Sequence, residues 1–226
     1  MSRTLRNNGL SLVAGALFLL SLVGQAATGF AVHNQDQKDH HEREIGFGEY
    51  LTTGAFYEAT FENWESEFLQ MAAFIFLTAF LVQKGSAESR KPDGSATGDG
   101  GESDDDPRAH AHEPGVPWPV RRGGVVLKMY ESSLSLVLFI IFLLCFAGHA
   151  MGGAADYSQE QVAHGGQAVT ALGYLATPRF WFESFQNWQS EFLSVLAVVL
   201  LSIVLRQRGS PESKPVHAPH AATGAE

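Results

Sequence analysis

A short motif, Asn-Trp-x-Ser-Glu-Phe-Leu, occurs twice, at residues 63–69 and 187–193, each time at the head of an apolar run. A carboxylate placed there can exchange a proton, bind a cation or accept a hydrogen bond from a neighbouring helix; an asparagine can donate and accept at once. At helical pitch Thr60, Asn63, Glu67 and Gln70 share a face, and Ser184, Asn187, Glu191 and Ser194 repeat it. Phe61, Trp64 and Phe68 form an adjoining aromatic face, matched by Phe185, Trp188 and Phe192. Of the acids in this region, Glu67 keeps its charge at the paired position, Glu191. Glu58, Glu62 and Glu65 are paired with Phe182, Gln186 and Gln189.

An antiparallel helix beside this stripe would bring Gln25 and its pair His149 to the same depth. The candidate cluster is therefore Asn63, Glu67, Gln25, Asn187, Glu191 and His149. Two chemistries fit it. The plainer one is glue, in which polar side chains hydrogen-bond across helices and Trp64 and Trp188 anchor at the headgroups. The sharper one is a path for protons, ions or a small solute, which requires Glu67 and Glu191 to face each other or a cavity. The glue reading is the preferred one.

Other reactive types are less promising. His33, His40, His41 and His164 fall in loops, and only His40 and His164 are paired, so they are read as exposed polar residues and no metal site is expected. Cys145 stands alone in an apolar run, which excludes an internal disulfide and a cysteine metal site. No nucleophile elbow, phosphate-binding glycine loop or metalloprotease motif is present, so neither an enzyme nor a cofactor is expected. A net charge of -9 argues against a nucleic-acid partner.

Four apolar blocks must position the stripe, at about residues 9–32, 68–82, 134–155 and 192–205. The first and third approach the roughly 20 residues that cross a hydrocarbon core. The second and fourth are shorter, but FYEATFENWESE and FWFESFQNWQSE precede them and read as the interfacial ends of longer helices. Arg3, Arg6 and the apolar run after them also resemble a cleavable secretory signal. The same segment recurs mid-chain, which favours a retained helix.

That recurrence is a duplication. Shifted by 124 positions, residues 10–89 match 134–213 without a gap, at 33 identities in 80 pairs. Each copy holds two helices, so both copies enter and leave on one side and the repeats are parallel rather than inverted. Twelve Lys and Arg residues lie in the N-terminus, the central linker and the tail, against three in the inter-helix loops. The positive-inside rule then places both termini and the linker in the cytoplasm. The acidic, Gly- and Pro-rich linker over 90–127 and the tail over 214–226 have little to bury and are expected to be disordered.

The runs R-N-N-G-L-S-L-V (6–13), F-E-N-W-E-S-E-F-L-Q-M (61–71) and Q-K-G-S-A-E-S (83–89) resemble an uncharacterised bacterial membrane protein family. The resemblance implies a bacterial inner or plasma membrane location and carries no activity, cofactor or site residue. The expected fold is all-α: an integral membrane four-helix bundle of two parallel tandem two-helix repeats, 1–89 and 128–213. The expected role is structural or accessory, with the lipid bilayer as partner and self-association or a membrane partner protein as further candidates. A small channel or transporter is the alternative.

Overall fold

The computed structural model describes residues 3–89 and 106–224. The acidic run at 90–105, the first part of the expected linker, lies outside the described residues. Those described form eight α-helices and no strand: α1 (Arg3–Asp39), α2 (Phe47–Tyr50), α3 (Gly54–Phe80), α4 (Trp118–Arg122), α5 (Gly124–Glu131), α6 (Ser133–Ala163), α7 (Ala171–Leu175) and α8 (Pro178–Val204). A 3-10 turn at Pro107–His110 precedes α4. Helix thus covers Trp118–Arg122 and resumes at Gly124, inside the stretch expected to be unstructured.

Among the described residues, three helical stretches are long and apolar enough to cross a membrane: Asn7–Asp39, Ser133–Ala163 and Pro178–Val204. Large apolar side chains along them, Leu20, Leu144 and Leu201 among them, are exposed, as lipid-facing residues are. α3 is 27 residues long, but its first half carries Glu58, Glu62, Glu65 and Glu67, and it is not among the three. Both aromatic stretches are fused to the apolar block that follows them, α3 starting at Gly54 and α8 at Pro178. Paired threonines start these helices. Thr53 Oγ1 accepts from the Phe56 amide at 3.3 Å and Thr177 Oγ1 from the Phe180 amide at 3.4 Å, satisfying N-terminal donors that the helix leaves open.

The chain divides into two compact units, Met1–Phe61 with Ala147–Phe180, and Glu62–Phe146 with Trp181–Glu226. In the first unit, α1 and the second half of α6 carry the glycines of closest approach. A Cβ on Gly29 would lie 2.2 Å from the Tyr50 hydroxyl, and one on Gly153 would lie 2.3 Å from the Tyr174 ring. These two glycines and two tyrosines are paired in the sequence, and the close approach explains why: only a missing side chain admits the ring. Gly148 and Gly152, spaced as in a G-x-x-x-G motif, receive Phe61 and the Glu58 backbone of α3, the contact by which small residues let membrane helices approach. The loops after α1 and α6 are pinned alike. Asn34 exchanges two hydrogen bonds with the Ile45 backbone, and Ser158 does the same with Val169.

In the second unit the Q-x-G-S-x-E-S motif is a closed turn. The Gln83 amide donates to Ser89 Oγ and the Gln207 amide to Ser213 Oγ, both at 2.8 Å, while Gly85 and Gly209 take φ of 88° and 83°. Beyond it, residues 214–224 form neither helix nor strand but return to the first turn. Gly85 N donates to Thr223 Oγ1 and Gly224 N to Ser86 O, each at 2.9 Å. The Lys214 ammonium, 1% exposed, lies 2.5–3.2 Å from the carbonyls of Gly85, Ile203, His220 and Ala222. Burial lowers the Lys214 pKa, and Arg206 adds to the effect; the four carbonyls act in the opposite sense by holding the charged form.

Candidate functional site

In the first unit a buried array of polar groups lies beside the α3–α6 glycine contact. Glu58 projects from the first turns of α3 and is 8% exposed. Its Oε1 accepts the Tyr174 hydroxyl at 2.9 Å. A carboxylate oxygen of Glu58 and a ring nitrogen of His149 lie within 4.8 Å of one another. His149 and Phe180 are fully buried and stack at 4.6 Å, with Tyr174 edge-on to both. On its other side the Glu58 carboxyl lies close enough to that of Asp156 for the two to interact. Two neighbouring carboxyls repel when both are ionised, so such a pair favours keeping a proton on one of them.

Asp156 connects this interior to solvent. It lines a polar cavity of about 230 Å³ with His33, Asp36, His40, Glu160 and His164. Arg179 lies 3.6 Å from Asp156, pairs with Glu160, and stacks over Tyr157 at 5.5 Å. His40 and His164 are oriented alike, each Nδ1 lying 2.8 Å from the carbonyl four residues back, of Asp36 and Glu160. A carbonyl accepts and never donates, so Nδ1 carries the hydrogen and Nε2 is left as the acceptor. Titratable groups therefore run from an open cavity, through Asp156 and Glu58, to an imidazole without solvent contact.

The residues picked out by sequence are divided between the units. Gln25 and His149 belong to the first; Asn63, Glu67, Asn187 and Glu191 belong to the second. Gln25 Nε2 donates to Thr60 Oγ1 at 3.1 Å. In the second unit Asn187 Nδ2 donates to Glu62 and, at 3.1 Å, to the Glu183 carbonyl. Trp188 Nε1 donates to Glu65 at 3.1 Å while its ring meets Phe142, Trp181 and Phe185. Trp64 is half-buried. Asn63 and Glu67 are exposed, Glu191 is half-buried, and the two glutamates lie close enough to repel electrostatically.

The sequence reading passed over Glu58, Asp156, Tyr174 and Arg179. Three of these have no like residue in the other copy: Glu58 is paired with Phe182, Asp156 with Val32 and Arg179 with Ala55. A filter that keeps matched residues discards them. Tyr174 passed the filter through Tyr50, and the glycine spacing at 148 and 152 was also legible.

All-helical architecture with three membrane-length helices points to a membrane protein. The chain belongs to the family defined by a domain of unknown function, DUF6766, whose model matches residues 1–225. No curated protein and no solved structure gives a significant match.

Proposed function

We propose that this protein takes up a proton within the membrane, at the Glu58–Asp156 pair, through the cavity lined by His40 and His164. The placement of two carboxyls between an open polar cavity and a buried imidazole carries this reading: Asp156 lines the cavity, and Glu58 is buried within 4.8 Å of His149. Ionisable groups at membrane depth are costly and mark proton or ion sites by default. Around this site the chain is read as a multi-pass protein of a bacterial plasma membrane. Its two tandem two-helix repeats, 1–89 and 128–213, are read as parallel and as making four spans with α3 as the second, the termini as cytoplasmic, and the cavity as opening on the opposite face. Of the two functional readings the sequence left open, proton handling is the better supported.

Reconstitution into liposomes holding a pH-sensitive dye tests the proposal. Under an imposed pH gradient the wild type should carry protons faster than empty vesicles, and Glu58→Gln should abolish the excess. Equal rates for the wild type and Glu58→Gln would overturn it.

A specific observation favours a second, accessory role for the other unit. Asn187 and Trp188 donate to Glu62 and Glu65, so two residues of the paired motif hold α8 to α3. Interhelical bonds of this kind hold membrane helices together, which fits a structural role.

A further inference from the structure

The second unit contains a cleft of about 560 Å³, bounded on one side by Leu69, Ala72 and Phe76 of α3 and on the other by Ser132 and Phe139. Its size lies within the roughly 300–1,000 Å³ of ordinary small-ligand pockets. Its walls are almost wholly apolar, and Lys128 of α5 also lines it. α5 is held by Leu127, 2% exposed, which leaves Lys128 and Met129 on the cleft. Gly123 and Gly124, both at positive φ, break the chain between α4 and α5, and the two short helices pack together. α4 brings Arg121 and Arg122, both exposed, with Arg122 stacked 5.2 Å over Trp118. From 114 to 130 the chain has three basic residues and no acid. An apolar slot beside a basic, tryptophan-bearing segment has the chemistry of a two-part ligand, hydrocarbon at one end and anion at the other.

We infer that this cleft binds one anionic phospholipid, an acyl chain lying between α3 and α6 and the phosphate at Lys128 and the α4 arginines. Neutral lipid fits the slot as well but gains nothing from the basic residues. A phosphate without acyl chains gains too little, because exposed cations alone hold it weakly. The inference rests on the membrane reading of the long helices and is independent of the protonatable pair in the first unit.

The test is native mass spectrometry of delipidated protein offered equimolar phosphatidylglycerol and phosphatidylcholine. The wild type should retain one phosphatidylglycerol at least about five-fold over phosphatidylcholine, the ratio that roughly 1 kcal/mol from Lys128 alone provides. Lys128→Gln should bring the ratio toward parity while keeping acyl binding, and should leave proton transport unchanged. Ala73→Phe and Ser135→Phe fill the slot from opposite walls, and either one that keeps wild-type helix content should lose both lipids. Glycerol phosphate should not compete. Equal retention of the two lipids by the wild type, an unchanged preference in Lys128→Gln, retention by a well-folded slot-filling variant, or competition by glycerol phosphate would each overturn it.

Discussion

The two loop regions of the first unit, centred on Tyr50 and Tyr174, share one frame and differ in chemistry. Each tyrosine fits against a glycine, each following threonine caps the next long helix and donates to the tyrosine carbonyl, and each preceding helix ends with a histidine on its own backbone. Around Tyr50 the neighbours are Phe30, Phe56 and His33, and burial pushes the phenol pKa up. Around Tyr174 they are Glu58 and His149, with Asp156 beyond. Paired positions build the frame, and unpaired ones supply the two carboxyls, Glu58 and Asp156. A duplicated scaffold can keep one loop as structure while ionisable groups gather at the other, here Glu58 from the first copy and His149 and Asp156 from the second.

Paired glycines give the sharpest way to break this comparison. Gly148 and Gly24 are matched in sequence, but a Cβ on Gly148 would meet the Phe61 ring at 2.6 Å, whereas one on Gly24 meets nothing within 4 Å. Gly148→Leu should cost about 3 kcal/mol or more by overpacking. Gly24→Leu should stay within roughly 0.5 kcal/mol. Unfolding in mixed micelles measures both, and equal losses would show that the two copies pack alike.

The tyrosines come next. Tyr174→Phe removes a buried donor to Glu58 and should destabilise by about 1–2 kcal/mol. Tyr50→Phe should change stability by less than about 0.5 kcal/mol. Equal effects in the same assay would remove the chemical difference between the loops.

How far the sequence could lead follows from the same pairs. Long apolar runs revealed the three membrane-length helices, because length and hydropathy are local properties. The Q-x-G-S-x-E-S turn was visible as a repeated string, although its cause, a serine closing on an amide six residues back, needed coordinates. Asn187 and Trp188 were singled out, but their partners Glu62 and Glu65 were set aside because the other copy has glutamines there. The Glu58 array was hidden for two reasons. Glu58 is far along the chain from His149, Asp156 and Tyr174, and all of these but Tyr174 are unmatched or changed in type between the copies. Helix pairing, which brings Asp156 to Glu58, is not encoded in any local period.

A functional exchange sharpens the comparison further. His149→Gln gives the second copy the residue of the first, leaving Glu58 without its imidazole. Proton transport in liposomes should fall several-fold with little change in folding; unchanged transport would exclude His149 from the path.

The smallest effect concerns a matched pair, Glu88 and Glu212. Burial raises the Glu88 pKa above the usual glutamate range, and the charge of Glu212 and a hydrogen bond to it add to the rise. A group with a raised folded-state pKa stabilises the fold below its ordinary value and loses that contribution as pH rises through the raised one. Hydrogen exchange at 83–89 and 207–213 should therefore speed up modestly as pH rises above the usual carboxylate range, after correction for intrinsic exchange. Glu88→Gln should flatten the dependence, and a wild-type profile without it would contradict the assignment.

Infrared difference spectroscopy of the protonated-carboxyl band tests the central claim most directly. The wild type should show that band at neutral pH, and either Glu58→Gln or Asp156→Asn alone should abolish it, because one proton is shared between the two groups. Absence of the band in the wild type, or its survival in both variants, would contradict the account.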